Sequence, residues 1–543
     1  MSRSPKIPVP IKKRTSPPPA ITGTLFQGAC SAHQAGRLAE AENGYLQVLL
    51  KDKGHADALH LLGVVHLQRG NLGEAEQLIR KAIALKESAF FLGNLGILLK
   101  DSLRLAEAEA AYRRALEIKP DYAEAHNNLG ILLNESKRLA AAEAAYRRAL
   151  EIKPDYAEAH NNLGNLLNES KRLAEAEAAY RRALEIKPDY AEAHNNLGIL
   201  LNESKRLAAA EAAYRRALEI KPDYAEARWN LSLLLLALQR FDEAWPLYES
   251  RYARERKEVA VKVPDLSYPQ WQGESLVGKS LVIWPEQGFG DYIQFVRYVS
   301  LLKARGVSRL TLVCSPPLSV LLATVEGVDA VVTDLAQLPA HDYWSFVMSL
   351  PLHCATTADT IPVEPMPYVH APPSRVAQWS ERLPAAGLKV GLVWKGNSNH
   401  KNDSHRSLPD LACLAPLWSV PDVAFISLQK GQGEEDASQP PVGQSLVALG
   451  AQMQDFADSA AIVSQLDLVI CVDTAIAHVA GALGKPCWVL LPAIGTDWRW
   501  LLDRTDSPWY PSIRLFRQSD LEDWSQTVDE VAGAFKTWAS VQS

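Results

Sequence analysis

Hydrophobic residues in the first half of the chain recur at helical spacing, and the whole pattern then repeats. The string KPDYAEA returns with a 34-residue period, its prolines standing at Pro120, Pro154, Pro188 and Pro222. Residues 123–156 and 191–224 are identical, and 157–190 differs from them at only two positions, Asn165 and Glu175. A fixed period of this length is the signature of stacked structural repeats.

Each copy predicts two helices. The first carries Leu129, Leu132 and Leu133 at helical spacing, and the second carries an apolar stripe of Ala142, Tyr146, Ala149 and Leu150. Pro154 ends the pair. Weaker copies at 22–54, 55–88, 89–122 and 225–256 bring the array to about seven units over 22–256.

This unit resembles the tetratricopeptide repeat. The family's small and large positions are matched here by Leu129, Gly130, Ala142, Tyr146, Ala149 and Pro154. The resemblance implies an α-solenoid that binds other proteins.

From residue 280 the pattern changes to short apolar runs that alternate with helical stretches. KSLVIW, RLTLVC and DAVVT predict strands of a first lobe, and LKVGLVW, VAFISLQ, DLVICV and PCWVLLP predict strands of a second. We therefore expect a linker at 257–275, lobes at 276–375 and 385–518 on either side of a Pro-rich stretch, and a C-terminal helix within 519–543. Two Rossmann-like α/β lobes joined in this way form the GT-B arrangement, whose ligand lies in the cleft between lobes.

Composition narrows the class of protein. The 543 residues carry 57 Lys and Arg against 63 Asp and Glu, a net charge of −6, which argues against binding to nucleic acid. Six scattered cysteines, the lack of a transmembrane segment and the lack of a secretory signal make the cytoplasm the expected location. Residues 1–21 predict a disordered, basic, Pro-rich tail.

The sharpest local signal is LDLVICVDTAIAHVAGALGKPCWVLLP at 466–492, a buried strand followed by a helix and another strand. Asp473 and Thr474 stand where the strand ends and the helix begins, so the amides of the first helical turn and the Thr474 hydroxyl are suited to bind a diphosphate. His478 lies one turn further on the same face. The alternative is that Asp473 only caps the helix and His478 is a core residue.

VDTAIAHVAGALGKP resembles the Asp-Thr-Gly-x-Ser-His signature of glycosyltransferase family 9, the heptosyltransferases. Asp473, Thr474 and His478 match it, and Ala475 and Ala477 replace the Gly and the Ser. The resemblance covers roughly 280–518. It implies that this segment binds the diphosphate of a nucleotide sugar and that one hydroxyl contact is lost here.

A second motif, PEQGFGDYIQF at 285–295, opens a helix after a predicted strand, and Gly288 and Gly290 are expected to permit a tight turn and a close approach of the ligand. It resembles the Gly-x-Gly-Asp loop of the same family. That resemblance implies that Asp291 is the base that deprotonates the acceptor. Capping of the helix by Asp291 is the alternative.

Two further loops follow predicted strands. In VWKGNSNHKNDSHRSLP at 393–409, Lys395, Lys401 and Arg406 are suited to neutralise a leaving diphosphate, and Asn397 is a candidate donor-binding residue. Arg406 aligns with a family lysine that the resemblance assigns to this role. In SLQKGQGEED at 427–436, Gln429 and Lys430 are candidates for contacts to the nucleoside, or the loop is simply solvated.

Asparagines occupy one slot in five successive first helices of the array, at Asn94, Asn128, Asn162, Asn196 and Asn230. Since an amide both donates and accepts hydrogen bonds, such a ladder can hold an extended peptide by its backbone. This resembles the asparagine ladder of protein O-GlcNAc transferases, which also join tetratricopeptide repeats to a GT-B region. Duplication of a neutral solvated face is the alternative.

The sequence as a whole predicts an inverting glycosyltransferase of hexosyl or heptosyl type. Its donor is a nucleotide-diphosphate sugar, its acceptor is expected to be a protein held in the repeat groove, and no cofactor is expected. No Asp-x-Asp stands in the chain, so metal independence is expected. Two alternatives stay open: a lipid or surface polysaccharide as acceptor with the repeats docking partners, and a non-catalytic scaffold with a degenerate GT-B region.

Overall fold

A computed structural model describes residues 20–253, 256, 261–286, 288–385, 387–519 and 523–542. The basic tail predicted at 1–21 lies outside this range apart from Ala20 and Ile21, and so do residues 257–260 of the predicted linker. The chain divides into two compact units, Met1–Pro222 and Asp223–Ser543.

The first unit is a series of helices in antiparallel pairs. Its described helices are α1 (Ala20–Gln34), α2 (Leu38–Lys51), α3 (Ala56–Gln68), α4 (Leu72–Leu85), α5 (Ala89–Asp101), α6 (Leu105–Ile118), α7 (Ala123–Glu135), α8 (Leu139–Ile152), α9 (Ala157–Glu169), α10 (Leu173–Ile186), α11 (Ala191–Glu203) and α12 (Leu207–Ile220). The predicted solenoid of paired helices is confirmed.

The two helices of a pair meet where a glycine faces a tyrosine. A Cβ atom added to Gly130 would lie 2.6 Å from the Tyr146 ring. A Cβ atom added to Gly164 or Gly198 would lie at the same distance from the ring of Tyr180 or Tyr214. The tyrosines are at most 2% exposed. Because any larger residue would push the ring away, glycine at this position sets how closely each pair packs.

Successive units are also joined by repeating ion pairs. Arg172 donates to Glu143 at 2.8 Å, and Arg206 makes the matching contact to Glu177 at 2.8 Å. These side chains are only partly exposed, so each pair adds a modest stabilisation that recurs from one unit to the next.

Replacing Lys171 by glycine is expected to stabilise the array. Lys171 lies just beyond the C-cap of α9 with φ of 60°, a left-handed conformation that a residue with a Cβ adopts only with strain. Relief of this strain, less the entropy that glycine loses on folding, is worth about 0.5 kcal/mol. Thermal unfolding followed by circular dichroism checks the effect. Lys187→Gly is the control, because its φ of −135° is ordinary, and an equal gain there would contradict the explanation.

The second unit begins with one more helical pair, α13 (Ala225–Ala237) and α14 (Phe241–Tyr248), followed by a 3-10 helix at Glu249–Tyr252. Parallel sheets follow. The described strands are β1 (Ser280–Trp284), β2 (Arg309–Val313), β3 (Ala330–Val332), β4 (Tyr343–Phe346), β5 (Leu388–Val393), β6 (Val423–Ser427), β7 (Val447–Ala448), β8 (Leu468–Val472), β9 (Cys487–Leu491) and β10 (Ile513–Arg517).

In the chain, the helices of these lobes alternate with the strands, and the last helix follows β10. They are α15 (Phe289–Phe295), α16 (Val299–Ala304), α17 (Pro316–Leu322), α18 (Leu350–His353), α19 (Pro373–Ser380), α20 (Asp403–Arg406), α21 (Glu434–Ser438), α22 (Phe456–Val463), α23 (Ala475–Ala482) and α24 (Ser525–Gln542). Helix α24 packs into the hydrophobic core of the second lobe. Its Val531 and Phe535 are fully buried in one cluster with strand residues such as Leu392. The predicted α/β lobes of parallel strands are confirmed.

Strand order determines where a ligand fits. The first sheet runs β3-β2-β1-β4 and the second β10-β9-β8-β5-β6-β7, and every pairing between these strands is parallel. The second order is that of a dinucleotide-binding fold, and it reverses direction between β5 and β8. The crevice beyond the carboxyl ends of these two strands is therefore the expected ligand position.

Candidate functional site

A cavity of about 1030 Å³ opens at that crevice, with α15 of the first lobe on its other side. Its lining contains the following catalytic and donor-binding residues predicted from the sequence: Gly288, Gly290, Asp291, Lys395, Asn397, Arg406, Gln429, Lys430, Asp473, Thr474 and His478. Lys401, which was also expected to neutralise the diphosphate, is not part of this described lining. Gly288 and Asp473, which are 185 positions apart in the chain, thus line one cavity, because parallel strands end at one edge of each sheet.

The N-terminus of α23 faces this cavity. Thr474 is the N-cap residue, and its hydroxyl oxygen is enclosed and makes no hydrogen bond within the described part of the chain. The amides of a first helical turn lack intrahelical acceptors and sit at the positive end of the helix dipole. A free hydroxyl beside them is an arrangement that binds an anion such as a phosphate.

The two positions at which the family signature differs have different surroundings. Ala475 lines the cavity, whereas Ala477 is fully buried and is absent from the described lining. A serine hydroxyl at residue 477 would therefore point into the protein interior here. The alanine at 477 removes no contact to a ligand in this cavity, contrary to what the resemblance implied.

Asp473 precedes Thr474 and has an altered acidity. Burial raises the pKa of Asp473 to about 6, the negative charge of Asp497 adds to the rise, and Arg406 and Arg499 oppose it. A carboxyl group that titrates near neutrality can become uncharged when an anion binds beside it.

If the ligand is the nucleotide sugar expected from the sequence, its binding should strengthen as the pH falls through 6. A bound diphosphate favours protonated Asp473, so affinity is expected to be about three- to tenfold higher near pH 5.5 than near pH 7.5. The donor's own diphosphate stays ionised across this range. Titration calorimetry measures the slope, and Asp473→Asn should flatten it. An unchanged slope in that variant would assign it to another group, such as His400.

Asp291 lies opposite α23, near the start of α15. One carboxylate oxygen accepts the Gly288 amide at 2.7 Å, and the other pairs with the Arg499 guanidinium, which also donates to Asp497 at 2.7 Å. Burial raises the pKa of Asp291, and Arg499 acts against the rise. Asp291 is thus a nearly buried carboxylate, made more basic than usual and held in one orientation.

The glycines of this loop have a different role from the one predicted. Gly288 has φ of −71°, and neither Gly288 nor Gly290 has a positive φ, so no tight turn requires them. A Cβ atom on Gly290 would instead lie 2.5 Å from the His478 ring. Gly290 is needed because α15 and α23 approach each other closely beside Asp291.

His478 is the residue that fills this contact. Its Nδ1 lies 3.0 Å from the Tyr510 hydroxyl, and its ring stacks on Trp500 with centroids 5.5 Å apart. Burial lowers the pKa of His478 well below its ordinary range, so the imidazole is neutral. Although it borders the cavity, His478 is 6% exposed and largely serves packing.

The loop after β5 supplies positive charge. Arg406 is held by Asp403 at 3.3 Å and lies against Gly396, whose added Cβ would be 2.7 Å from the guanidinium. Asn397 is exposed, and its side chain accepts the Asn399 amide at 3.0 Å. No ion pair or side-chain hydrogen bond engages the Lys395 ammonium within the described ranges, which leaves it available for an anionic ligand.

Gln429 does not face a nucleoside in the way the sequence suggested. Its side-chain oxygen accepts the amides of Trp394 and Lys395, both at 3.0 Å, and its NH₂ donates to the carbonyls of Lys395 at 3.0 Å and Gln432 at 2.7 Å. All four hydrogen-bonding positions are used. Gln429 therefore braces the loop that carries Lys395. The Lys430 ammonium donates to the Met453 carbonyl at 2.6 Å while the residue stays exposed.

Sequence reasoning missed Arg499 and Asp497. Both line the cavity from the loop after β9, and Arg499 is 208 residues from the aspartate with which it pairs. The only local signal is the string DWRW at 497–500, a charged residue between tryptophans shortly after a buried strand.

The asparagine slot lies in the first helix of each pair. Asn94 binds His60 at 2.9 Å, and Asn162 and Asn196 each donate to the preceding unit, to Asn127 at 3.0 Å and Asn161 at 2.9 Å. Asn128 and Asn230 are half-buried. The amides thus form hydrogen bonds from one unit to the next.

Over the described ranges, no helix has both the length and the apolar character needed to span a bilayer. Among the same residues, no group of three or more His, Cys, Asp or Glu side chains is arranged to hold a metal ion.

Comparison with known proteins finds family matches in both the repeats and the second lobe. Tetratricopeptide repeat models match residues 26–90, 104–136, 121–189, 155–223 and 201–250, and the model of glycosyltransferase family 9 (heptosyltransferase) matches 422–490. Protein FlbA of Caulobacter vibrioides is 28% identical over 340 residues, which cover 56% of this chain and 54% of FlbA. The alignment thus spans about half of that relative.

Solved structures resemble the repeats. Pseudomonas aeruginosa pilF is 24% identical, with a TM-score of 0.34, and the match covers 36% of this chain and 89% of that one. A tetratricopeptide repeat protein from Parabacteroides merdae is 18% identical, with a TM-score of 0.37, over 44% of this chain and 95% of that one. By the family-model matches, the chain combines tetratricopeptide repeats with a glycosyltransferase family 9 segment, which supports a glycosyltransferase.

Proposed function

We propose that the second unit is a GT-B glycosyltransferase that uses a nucleotide-diphosphate sugar and inverts the anomeric centre. The observation that carries the proposal is one cavity in which an anion site faces a buried carboxylate. The anion site consists of the α23 N-terminus with Thr474, Lys395 and Arg406, and the carboxylate is Asp291. A volume of about 1030 Å³ is sufficient for a nucleotide sugar.

The donor's diphosphate would occupy the crevice between β5 and β8. The hydroxyl of Thr474 and the amides that follow it would bind phosphate oxygens, and the free Lys395 ammonium and the Arg406 guanidinium would neutralise the charge that develops as the diphosphate leaves. These groups act most strongly in the transition state, when the sugar carbon separates from the phosphate oxygen.

Asp291 would then remove the proton of the acceptor. The acceptor oxygen bonds to the anomeric carbon, the bond from that carbon to the diphosphate breaks, and the acceptor proton passes to Asp291. Because Arg499 and the Gly288 amide each engage one oxygen, the carboxylate stays oriented while retaining a lone pair for the proton. A raised pKa favours this transfer.

The acceptor would be a protein, in the cytoplasm, bound along the asparagine slot of the repeats. Asn162 and Asn196 each use one N–H group on a neighbouring unit, and an amide has a second N–H and further lone pairs for a peptide backbone. Intact-mass comparison of cellular proteins with and without the gene tests this. Loss of a protein-linked sugar supports a protein acceptor, and a change confined to lipid or polysaccharide would overturn it.

Donor binding tests the enzyme itself. Purified full-length protein is mixed with UDP-, GDP- and ADP-sugars, with and without EDTA, and its thermal unfolding is followed. We expect one nucleotide class to raise the unfolding temperature and Lys395→Met to weaken that effect, because the ammonium would contact the diphosphate. No response to any nucleotide sugar would remove the proposal. A response that EDTA abolishes would show that a metal is required.

A further inference from the structure

The last helical pair follows the repeat pattern but belongs to the second unit. The tetratricopeptide repeat match at 201–250 includes α13 and α14, whereas the compact unit that contains the cavity starts at Asp223. The 3-10 helix Glu249–Tyr252 comes directly after α14. This helical pair and turn therefore pack with the α/β lobes, and their contacts lead to the cavity.

Arg251 in that turn is fully enclosed. Its side chain is 1% exposed and forms a two-point ion pair with Glu286, at 2.5 and 3.0 Å, and Glu286 itself is 0% exposed. Arg251 also donates to the Ser349 hydroxyl at 2.7 Å and forms a second ion pair with Glu249, and Glu286 accepts the Met348 amide at 2.7 Å. Such a pair imposes a defined geometry, since two planar groups must meet edge to edge.

Glu286 lies on the loop between β1 and α15, and Asp291 stands in the first turn of α15. The loop begins after Trp284, the last residue of β1. At its far end, the Gly288 amide donates a hydrogen bond to the Asp291 carboxylate. Fixing Glu286 therefore fixes the start of the segment whose other end presents the carboxylate.

The same helical pair also supports the partner of Asp291. The rings of Phe241, Trp245 and Tyr248 pack on Trp498 with centroid distances of 6.5, 5.7 and 6.3 Å. Trp498 is adjacent to Arg499. The Met348 sulfur lies 3.7 Å from the Tyr248 hydroxyl and 3.9 Å from the Arg499 guanidinium.

We propose that Arg251 is a positioning residue of the transferase. Through Glu286 it keeps Asp291 and Arg499 in the correct position relative to each other. The proposal rests on the function proposed above. It assigns to the last repeat a task in catalysis, in addition to any contact with an acceptor. Arg251 itself touches neither the cavity lining nor, by this proposal, the substrates.

Three variants of the full-length chain separate positioning from folding. Arg251→Met leaves Glu286 buried without its partner, which destabilises the fold in any case. The double variant Arg251→Met with Glu286→Met removes both charges of the fully enclosed pair and should regain much of the lost thermal stability, since the remaining acid, Glu249, is 18% exposed and keeps the Tyr252 and Ser349 hydroxyls as donors. Arg251→Lys keeps the charge but loses the two-point contact, so it should lie between wild type and Arg251→Met.

Hydrogen exchange is the readout that does not depend on a substrate. We expect faster amide exchange at 285–295 and 497–501 in the double variant even when stability has returned, with unchanged exchange at 468–482. Lys303→Met is the matched control, because it breaks the Lys303–Asp329 ion pair of the same lobe and should leave both segments unchanged. Wild-type exchange in a restabilised double variant would overturn the proposal.

Kinetics supply the second readout. With the nucleotide sugar found by thermal shift, release of sugar to water should show kcat reduced about 10- to 100-fold in the double variant and KM within about twofold of wild type. A rise in KM with unchanged kcat would overturn the positioning role. If the wild-type protein binds no nucleotide sugar, the proposed function fails, and the exchange result alone still decides whether Arg251 holds the two segments.

Discussion

Replacing Asp291 by asparagine is expected to reduce sugar transfer about 1000-fold, within the range that a lost general base costs. The amide is close in size to the carboxylate and its oxygen can still accept the Gly288 N–H. Although Arg499 loses its ion pair with residue 291, it keeps the one with Asp497, so the loop should keep its shape. It cannot take up a proton at neutral pH. Donor binding should stay within about threefold, because the diphosphate would lie on the α23 side of the cavity.

The measurement is the initial rate of transfer, to acceptor or to water, together with the affinity for the donor. Asp334→Asn is the matched control, because this exposed carboxylate of the same lobe caps a 3-10 helix and contacts only its residues, the Ala336 amide at 3.0 Å and the Gln337 side chain at 3.5 Å, in the described part of the chain. Its rate should equal that of the wild type. Retained activity in Asp291→Asn, with donor binding intact, would mean that another group is the base.

Replacing Gly290 by alanine is expected to reduce the rate about 100-fold. The added methyl group would lie 2.5 Å from the His478 ring, which Tyr510 and Trp500 hold in place. Since the ring has little room to move, α15 must shift and carry Asp291 with it, and a displacement near 1 Å is enough for a loss of this size. Rates and thermal unfolding of the full-length protein check the result.

Gly288→Ala distinguishes this packing explanation from a general intolerance of the loop. Gly288 has an ordinary φ of −71°, and the nearest atom to its added Cβ is the Asp291 carboxylate at 3.5 Å, an ordinary contact. We expect this variant to keep near wild-type activity. Equal losses in the two variants would contradict the role assigned to contact with His478.

Much of the fold could be predicted because its signals are local. The repeat period, the helical stripes and the buried runs of β1, β5 and β8 are all visible within short windows of sequence. β4 and β10 were not predicted. The first is the short aromatic run Tyr343–Phe346, and the second, Ile513–Arg517, includes two arginines, so neither shows the clear apolar pattern of a central strand.

The site was predictable to the extent that parallel strands gather their following loops at one edge. That rule brings Asp291, Lys395 and Asp473 to one cavity from three separate motifs. It does not say where a side chain points. Gln429 stands at the right edge, yet its amide binds the backbone of a neighbouring loop, and Arg499 reaches Asp291 from a segment without a motif. The orientation of Gln429 and the pairing of Arg499 with Asp291 both depend on contacts between segments that are distant in the sequence.

The interior repeats make nearly the same contacts with their neighbours. Arg172 meets Glu143 as Arg206 meets Glu177, and Gly164 faces Tyr180 as Gly198 faces Tyr214. An in-frame copying event that adds or removes 34 residues therefore creates no contact of a new kind. The number of repeats can therefore change in a single genetic step while each helical pair keeps its surroundings. Descendants of this gene can lengthen or shorten the array without repacking a core.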